Sequence, residues 1–473
     1  MSEPTHIGQD QPPSPEVSRR SRLAWWLHPK VALPLSLLVV ILLSPFLYRG
    51  YRISSVPDIG DPFDVAAFEA IEVPASDNAA EIYAAADAMR VTTKYPSADL
   101  DRVFENGWGD ATEVLQKWLT ANERALNEWR RGTERLTTQF VSPKEISIHS
   151  IFPSVNEQLD FSRLARLRAE RNLREGDVVV AWDWLRASVR ASRHLGQHGP
   201  IIERLVGIYS FSVAAQGINR WAADPRVNEN LLCKAAEQFD VDDALTPLTS
   251  VGLKYEYLSN LHTIDGGVSL SDLGMVPSTG GVPKGALSSF MFVMGDPDYS
   301  QHLMQQVFAG WLEQSDLPKP KRAPVAGVRF GLFPPAAKPG RLSAAELESR
   351  LLSLSLARAL LPALFPAIEA VDREAASRTA LKLTLAMQRY HRLHGDWPTK
   401  LDDLVPDLLK ELPDDPFGKA GETLRLKRDG DDLIIYSVFT NGIDDGGAIT
   451  SVGNETLDAG YRLKRPHSPT DGK

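Results

Sequence analysis

The chain has 473 residues, enough for two or three domains with their own cores, and an ordinary balance of 43% hydrophobic and 24% charged residues. Its formal net charge of -9 and pI near 5.7 argue against nucleic acid as a main partner, because phosphate binding needs a basic face. A single cysteine, Cys233, excludes an intramolecular disulfide and a multi-cysteine metal site.

Residues 1–30 open as a Pro-, Ser- and Gln-rich stretch and read as a disordered cytoplasmic tail. Val31 to Tyr48 carries no charged side chain. Eighteen helical residues reach roughly 27 Å, close to the hydrocarbon thickness of a bilayer. Trp25 and Trp26 before the segment and Tyr48 and Tyr51 after it suit the two interfaces. Arg19, Arg20, Arg22 and Lys30 precede it, whereas only Arg49 and Arg52 follow. The bias predicts a single span in the inner (cytoplasmic) membrane, with the N-terminus cytoplasmic and the bulk of the chain outside the cytoplasm. No small-x-small site follows the apolar run, so residues 31–48 read as an uncleaved signal anchor.

Residues 54–370 read as a helical extracytoplasmic domain with Gly- and Pro-rich insertions. Ser76-Asp77-Asn78 offers caps for a helix over 79–89. Val114, Leu115, Trp118, Leu119, Leu126 and Trp129 predict one helix over 113–131. Leu159, Leu164, Leu167 and Leu173 form a stripe that breaks at Glu175-Gly176-Asp177. Trp182, Leu185, Val189 and Leu195 then resume it. That pattern predicts a helical hairpin over 157–195. Its pairing resembles tetratricopeptide-like units, without a 34-residue self-repeat. The helical setting of Cys233 predicts a packed thiol. Residues 265–298 are loop-heavy and Gly-rich, and 342–363 reads as a buried helix.

Near Glu374 the pattern changes to a helix followed by strands. Ala380, Leu383, Met387 and Tyr390 recur at helical steps until Gly395-Asp396-Trp397-Pro398 stops them. Asp429-Gly430 predicts a hairpin turn, Leu433 to Phe439 a central strand and Gly460 to Lys464 a further one. The order Tyr390 to Pro398, Leu412-Pro413-Asp414-Asp415-Pro416-Phe417-Gly418 and Tyr436 to Gly447 resembles the globular part of type II secretion major pseudopilins. The match covers about a fifth of the chain. The resemblance implies a helix packed on a small antiparallel sheet over 374–465, and calcium held near Asn441, Asp444 and Asp445. Clustered oxygen ligands on a Gly-relaxed loop suit calcium, and a solvated Asp-Gly turn is the competing reading. The anchor lies more than three hundred residues upstream, and nothing near Val31 resembles the Gly-Phe-Thr-x-x-Glu processing site. The expectation is therefore a borrowed fold at the end of a tethered protein. The whole layout is similar to uncharacterised single-pass bacterial envelope proteins.

Candidate chemistry elsewhere is sparse. His194 and His198 stand i, i+4 without the Glu of a zinc-protease motif. Gly280 to Gly285 has phosphate-loop spacing but lacks the Lys and Ser/Thr. Two functions are expected from this pattern. One is an envelope scaffold that meets protein partners in secretion or surface assembly. The other is an envelope hydrolase with its site in 265–298.

Overall fold

The computed structural model describes residues 29–147, 150, 154–265, 295–326, 330–334, 338–352, 357–358, 361, 364–449 and 457–464. Among them the chain forms α1 (Pro29–Ser54), α2 (Val65–Glu69), α3 (Ala80–Ala88), α4 (Ser97–Asn106), α5 (Glu113–Ala121), α6 (Glu123–Gly132) and α7 (Ser154–Glu175). There follow α8 (Val178–His194), α9 (Ile201–Ala222), α10 (Glu229–Asp243), α11 (Thr249–Asp265), α12 (Asp296–Gln314), α13 (Ala344–Leu351) and α14 (Leu364–His394). Three strands, β1 (Arg425–Asp429), β2 (Asp432–Ser437) and β3 (Ala459–Leu463), pair antiparallel in that order. The fold is thus mainly helical with one small antiparallel sheet near its end.

The chain divides into two compact units. The first joins Met1–Pro57 to Ser269–Ser300. Its helix α1 is long and apolar enough to cross a membrane over Ala32–Ser54, and its apolar window is not buried by protein. Pro45 lies inside this helix and lacks the N–H that would bond Ile41. The Ser44 hydroxyl donates to that Ile41 carbonyl at 3.0 Å, which satisfies a group that the proline leaves without its helical partner. The helix continues six residues past Tyr48. There Arg49 pairs with Asp298 at 3.1 Å and Arg52 with Asp296 at 3.0 Å. The Arg52 guanidinium also lies 4.3 Å from the Tyr299 ring centre. These carboxylates let two cations stay on the helix end, and the Ser54 and Ser55 hydroxyls close the last turn on Tyr51 and Arg52 carbonyls.

The second unit joins Asp58–Val268 to Gln301–Lys473 and so holds the segment predicted as 374–465 with most of that predicted as 54–370, whose residues 54–57 and 269–300 fall in the first unit. The predicted hairpin is α7 and α8, turning at Gly176 with φ 95°. Asp177 caps α8 by accepting from the Val180 N–H at 3.1 Å. Their apolar faces, with α9, build a core containing Trp129, Phe161, Trp182, Phe211 and Trp221. The buried indoles are satisfied: Trp182 donates to Gln238 at 2.7 Å and Trp221 to the Val178 carbonyl at 2.8 Å.

Three local expectations differ from the structure. The single helix read over 113–131 breaks at Asn122, whose buried amide pairs with both the N–H and the carbonyl of Val91. Cys233 is half-exposed instead of packed in the core; its face of α10 looks outward while Leu232 and Ala235 point in. The helix read over 342–363 is described as α13 alone, started by a Ser343–Glu346 capping box; most of the remainder lies outside the described residues.

Helix α14 carries two apolar stripes. Ala380, Leu383 and Met387 pack with Trp397, Leu404, Leu433, Ile435 and Leu463 in the core of the sheet. Leu381 and Leu385 belong to the main helical core. The sheet therefore rests on a helix that the helical body also uses. Arg392 reinforces the junction by donating to the carbonyls of Ala222, the last residue of α9, and of Asp224 just after it, at 3.2 and 3.0 Å. In the sheet, Gly430 (φ 65°) supplies the hairpin turn, and β2 is central, pairing Leu426 with Ile435 and Leu433 with Leu463.

Candidate functional site

The densest chemistry is buried where α8, α9, α10 and α14 meet. Glu374 on α14 receives Arg193 at 2.5 Å on one oxygen and Arg204 on the other. All three side chains are buried. Asp243 extends the cluster, accepting from Arg378 at 3.1 Å and Arg193 at 3.5 Å and pairing with Lys382 at 3.1 Å. Burial alone would push the Glu374 carboxyl up. Arg204 and Arg193 together outweigh that and hold it down at about 2. Its centre, Glu374 with Arg193 and Arg204, is buried and acts as a clamp between helices, while Arg378 and Lys382 at its edge keep part of their surface in solvent.

A second group surrounds the start of α9. Glu203, in its first turn, is buried, and burial lifts its carboxyl to about 8 against a hydrogen bond from the Gly196 backbone. One of its oxygens has no hydrogen-bond partner. The Glu256 carboxylate accepts from the Ile201 N–H at 3.2 Å. Burial raises it to about 7, although the residue keeps some solvent contact, so the greater weight falls on Glu203. His194 is also buried, with Nδ1 at 2.8 Å from the Tyr83 hydroxyl and Nε2 at 3.1 Å from the Arg135 carbonyl. Burial, then the Arg190 charge, lowers it to about 4. Both ring nitrogens are engaged by the fold, which accounts for His194 without a metal.

The loop singled out for calcium follows β2. Asp444 accepts from the Tyr436 hydroxyl at 3.1 Å and the Gly446 N–H at 3.0 Å, and pairs with Arg425 at 3.1 Å. Asp445 accepts from the Asn441 amide at 2.8 Å, while the Asn441 oxygen takes the Ile443 N–H at 3.0 Å. Sequence reasoning missed Asp458, whose carboxylate takes the Gly447 N–H at 2.8 Å. The structure thus brings Asn441, Asp444 and Asp445 into one loop. Gly442, Gly446 and Gly447 turn it with φ of 66°, 70° and 76°. The donor atoms are the hard oxygens that calcium takes, and in this arrangement Arg425 supplies the positive charge on Asp444. Among the described residues no three His, Cys, Asp or Glu side chains converge to hold a metal ion.

The Gly-rich segment considered for a hydrolase, including Gly280 to Gly285 and the stretch from Gly267 to Ser271, lies outside the described residues except at its two ends. Sequence reading also missed Arg193, Glu203, Arg204 and Glu374. A signal was present for Arg193: it falls four residues after Val189 on the stripe of Trp182 and Leu185, where a charge implies a buried partner. Comparison with protein families, with curated proteins and with solved structures gives no match.

Proposed function

We propose that the chain is a single-pass protein of the inner membrane, with a cytoplasmic N-terminus. Its helical body and terminal α+β module form a non-enzymatic interaction platform for envelope proteins in secretion or surface assembly. The carrying observation is α1. Its apolar side chains from Leu33 to Leu47 are largely exposed, a surface that water disfavours and lipid accepts. Four basic residues precede the span and two follow it, which supports the orientation. Side-selective labelling of the lone Cys233 tests this reading. A membrane-impermeant maleimide is expected to reach it in sealed right-side-out vesicles, and crosslinking there to bring down other envelope proteins. Labelling confined to inside-out vesicles removes the proposal.

Calcium binding at Asn441, Asp444 and Asp445 is a separate part of the proposal, supported by the oxygen-rich loop and requiring Arg425 to leave Asp444. The full chain in neutral detergent is expected to unfold at higher temperature in millimolar calcium than in chelator. A site at a hundred times its dissociation constant adds roughly 2.7 kcal/mol. Coincident unfolding curves retire it.

A further inference from the structure

A cavity of about 380 Å³ opens in the second unit beside the segment from Ser315 to Arg322. Its size falls within the range of small-molecule sites, roughly 300–1,000 Å³. Pro247, Leu248, Leu317, Pro318, Val371 and Pro416 give it apolar walls. Leu248 is 59% and Leu317 38% exposed, so part of the apolar lining is open to solvent.

Most charged groups lining the cavity are already answered. Arg322 pairs with Asp372 at 2.9 Å, and Arg378 with Asp243 at 3.1 Å. Asp316 takes the Ser250 N–H at 2.9 Å. Asp415 accepts on Oδ1 from the Ser437 hydroxyl at 2.6 Å and the Phe417 N–H at 2.9 Å, while its buried Oδ2 has no hydrogen bond and only Arg425 at 3.9 Å. Lys321 and Asp414 are exposed, where water solvates them. Lys319 differs: it is half-buried, and no ion pair or hydrogen bond engages its Nζ among the described residues. The ammonium instead lies 4.0 Å from the centre of the Phe417 ring. Phe417 contacts Phe439 at 5.2 Å between ring centres, and Phe439 has a φ of 54°. A non-glycine residue in that region carries strain, so the aromatic platform under Lys319 is held at a conformational cost.

We propose that this cavity binds a small amphiphilic monocarboxylate, its carboxylate on Lys319 Nζ and its hydrocarbon part against Leu248, Leu317 and Val371. A half-buried cation without a direct ion pair or hydrogen bond gains from one negative charge in contact with it. Arg322 is held by Asp372, and Arg378 by Asp243, which it shares with Arg193 and Lys382, so the half-buried lining cation left for a ligand is Lys319, one charge for one carboxylate. Open apolar walls gain from a hydrocarbon body. Burial also holds the Lys319 ammonium below the ordinary lysine range despite Asp372 and Glu369, a penalty that a bound carboxylate relieves. The site is independent of the membrane reading.

The test is a fluorine NMR titration of the full chain in neutral detergent with 6,6,6-trifluorohexanoate. Saturable binding is expected, weakened about tenfold or more by Lys319→Gln and little changed by Lys319→Arg or by Lys321→Gln. The matching alcohol, 6,6,6-trifluorohexan-1-ol, is expected to bind at least tenfold more weakly than the acid. Equal affinity of Lys319→Gln and the unaltered chain overturns the proposal. So does equal affinity for acid and alcohol, or no saturable binding at millimolar probe. Lys319→Arg guards against misfolding, because it keeps the charge and must keep the binding.

Discussion

Replacing Glu374 by alanine is expected to destabilise the chain by about 3–5 kcal/mol, the usual cost of breaking a buried ion pair from one side. The change strands Arg193 and Arg204, both buried. Arg193 keeps only the longer contact to Asp243 and the face of Phe211, 4.4 Å from its guanidinium carbon. The loss falls where α14 joins α8 and α9, so the sheet loses its support with the helix. Methionine at all three positions is expected to cost less than Glu374→Ala alone, because no charge is then left uncompensated. The pH dependence has a definite sign. The Glu374 carboxyl is depressed from 4.5 to about 2. Its contribution is therefore present above about 4.5 and lost as pH falls toward 2, roughly 3 kcal/mol in all. Denaturant unfolding of the full chain in neutral detergent measures both effects. A Glu374→Ala cost below about 1 kcal/mol contradicts a buried triad.

Glu203 acts in the opposite direction. Its carboxyl is raised from 4.5 to about 8, so the folded state holds its proton across that interval while the unfolded chain gives it up. Stability from this group is complete below about 4.5 and declines as pH rises toward 8. The full change is on the order of 5 kcal/mol. Glu203→Gln keeps the shape and removes the titration. The variant and the unaltered chain should therefore differ by a constant at pH 4 and diverge progressively to pH 8, with the variant gaining. His194 partly masks the trend in the unaltered chain. Its pKa is lowered from 6.5 to about 4, so its contribution is full above 6.5 and lost as pH falls toward 4. The difference between variant and unaltered chain cancels that histidine. Parallel stability curves from pH 4 to pH 8 contradict a buried, protonated Glu203.

Elements carried by local chemistry were legible in the sequence. The apolar run from Val31, the stripe interrupted at Gly176 and the turn at Gly430 all coincide with observed features, because each is decided by neighbours a few residues away. What escaped depends on partners far along the chain. Helix α1 extends past Tyr48 because Asp296 and Asp298 answer Arg52 and Arg49 from more than two hundred residues downstream. Glu374 reads as a surface residue until Arg193 and Arg204 enclose it. Helix α14 announced one stripe, Ala380, Leu383 and Met387, and hid the second, Leu381 and Leu385, which ties the terminal module to the helical core. Around the loop, Asn441, Asp444 and Asp445 were legible as an oxygen cluster, whereas Arg425 and Asp458 reach it only through strand pairing and chain return.

The side of the membrane on which Cys233 lies tests the central proposal most directly. It is the chain's single thiol, half-exposed on α10, so its labelling reports one position. Burial raises its pKa, which calls for mildly alkaline labelling, where more thiolate forms. A membrane-impermeant maleimide should label Cys233 in sealed right-side-out vesicles and leave it untouched in inside-out ones. A Cys233→Ser, Ser14→Cys variant, reporting on the N-terminal tail, should show the reverse. Labelling of Cys233 only in inside-out vesicles, or of both positions from the same side, contradicts a single span with the folded body outside the cytoplasm.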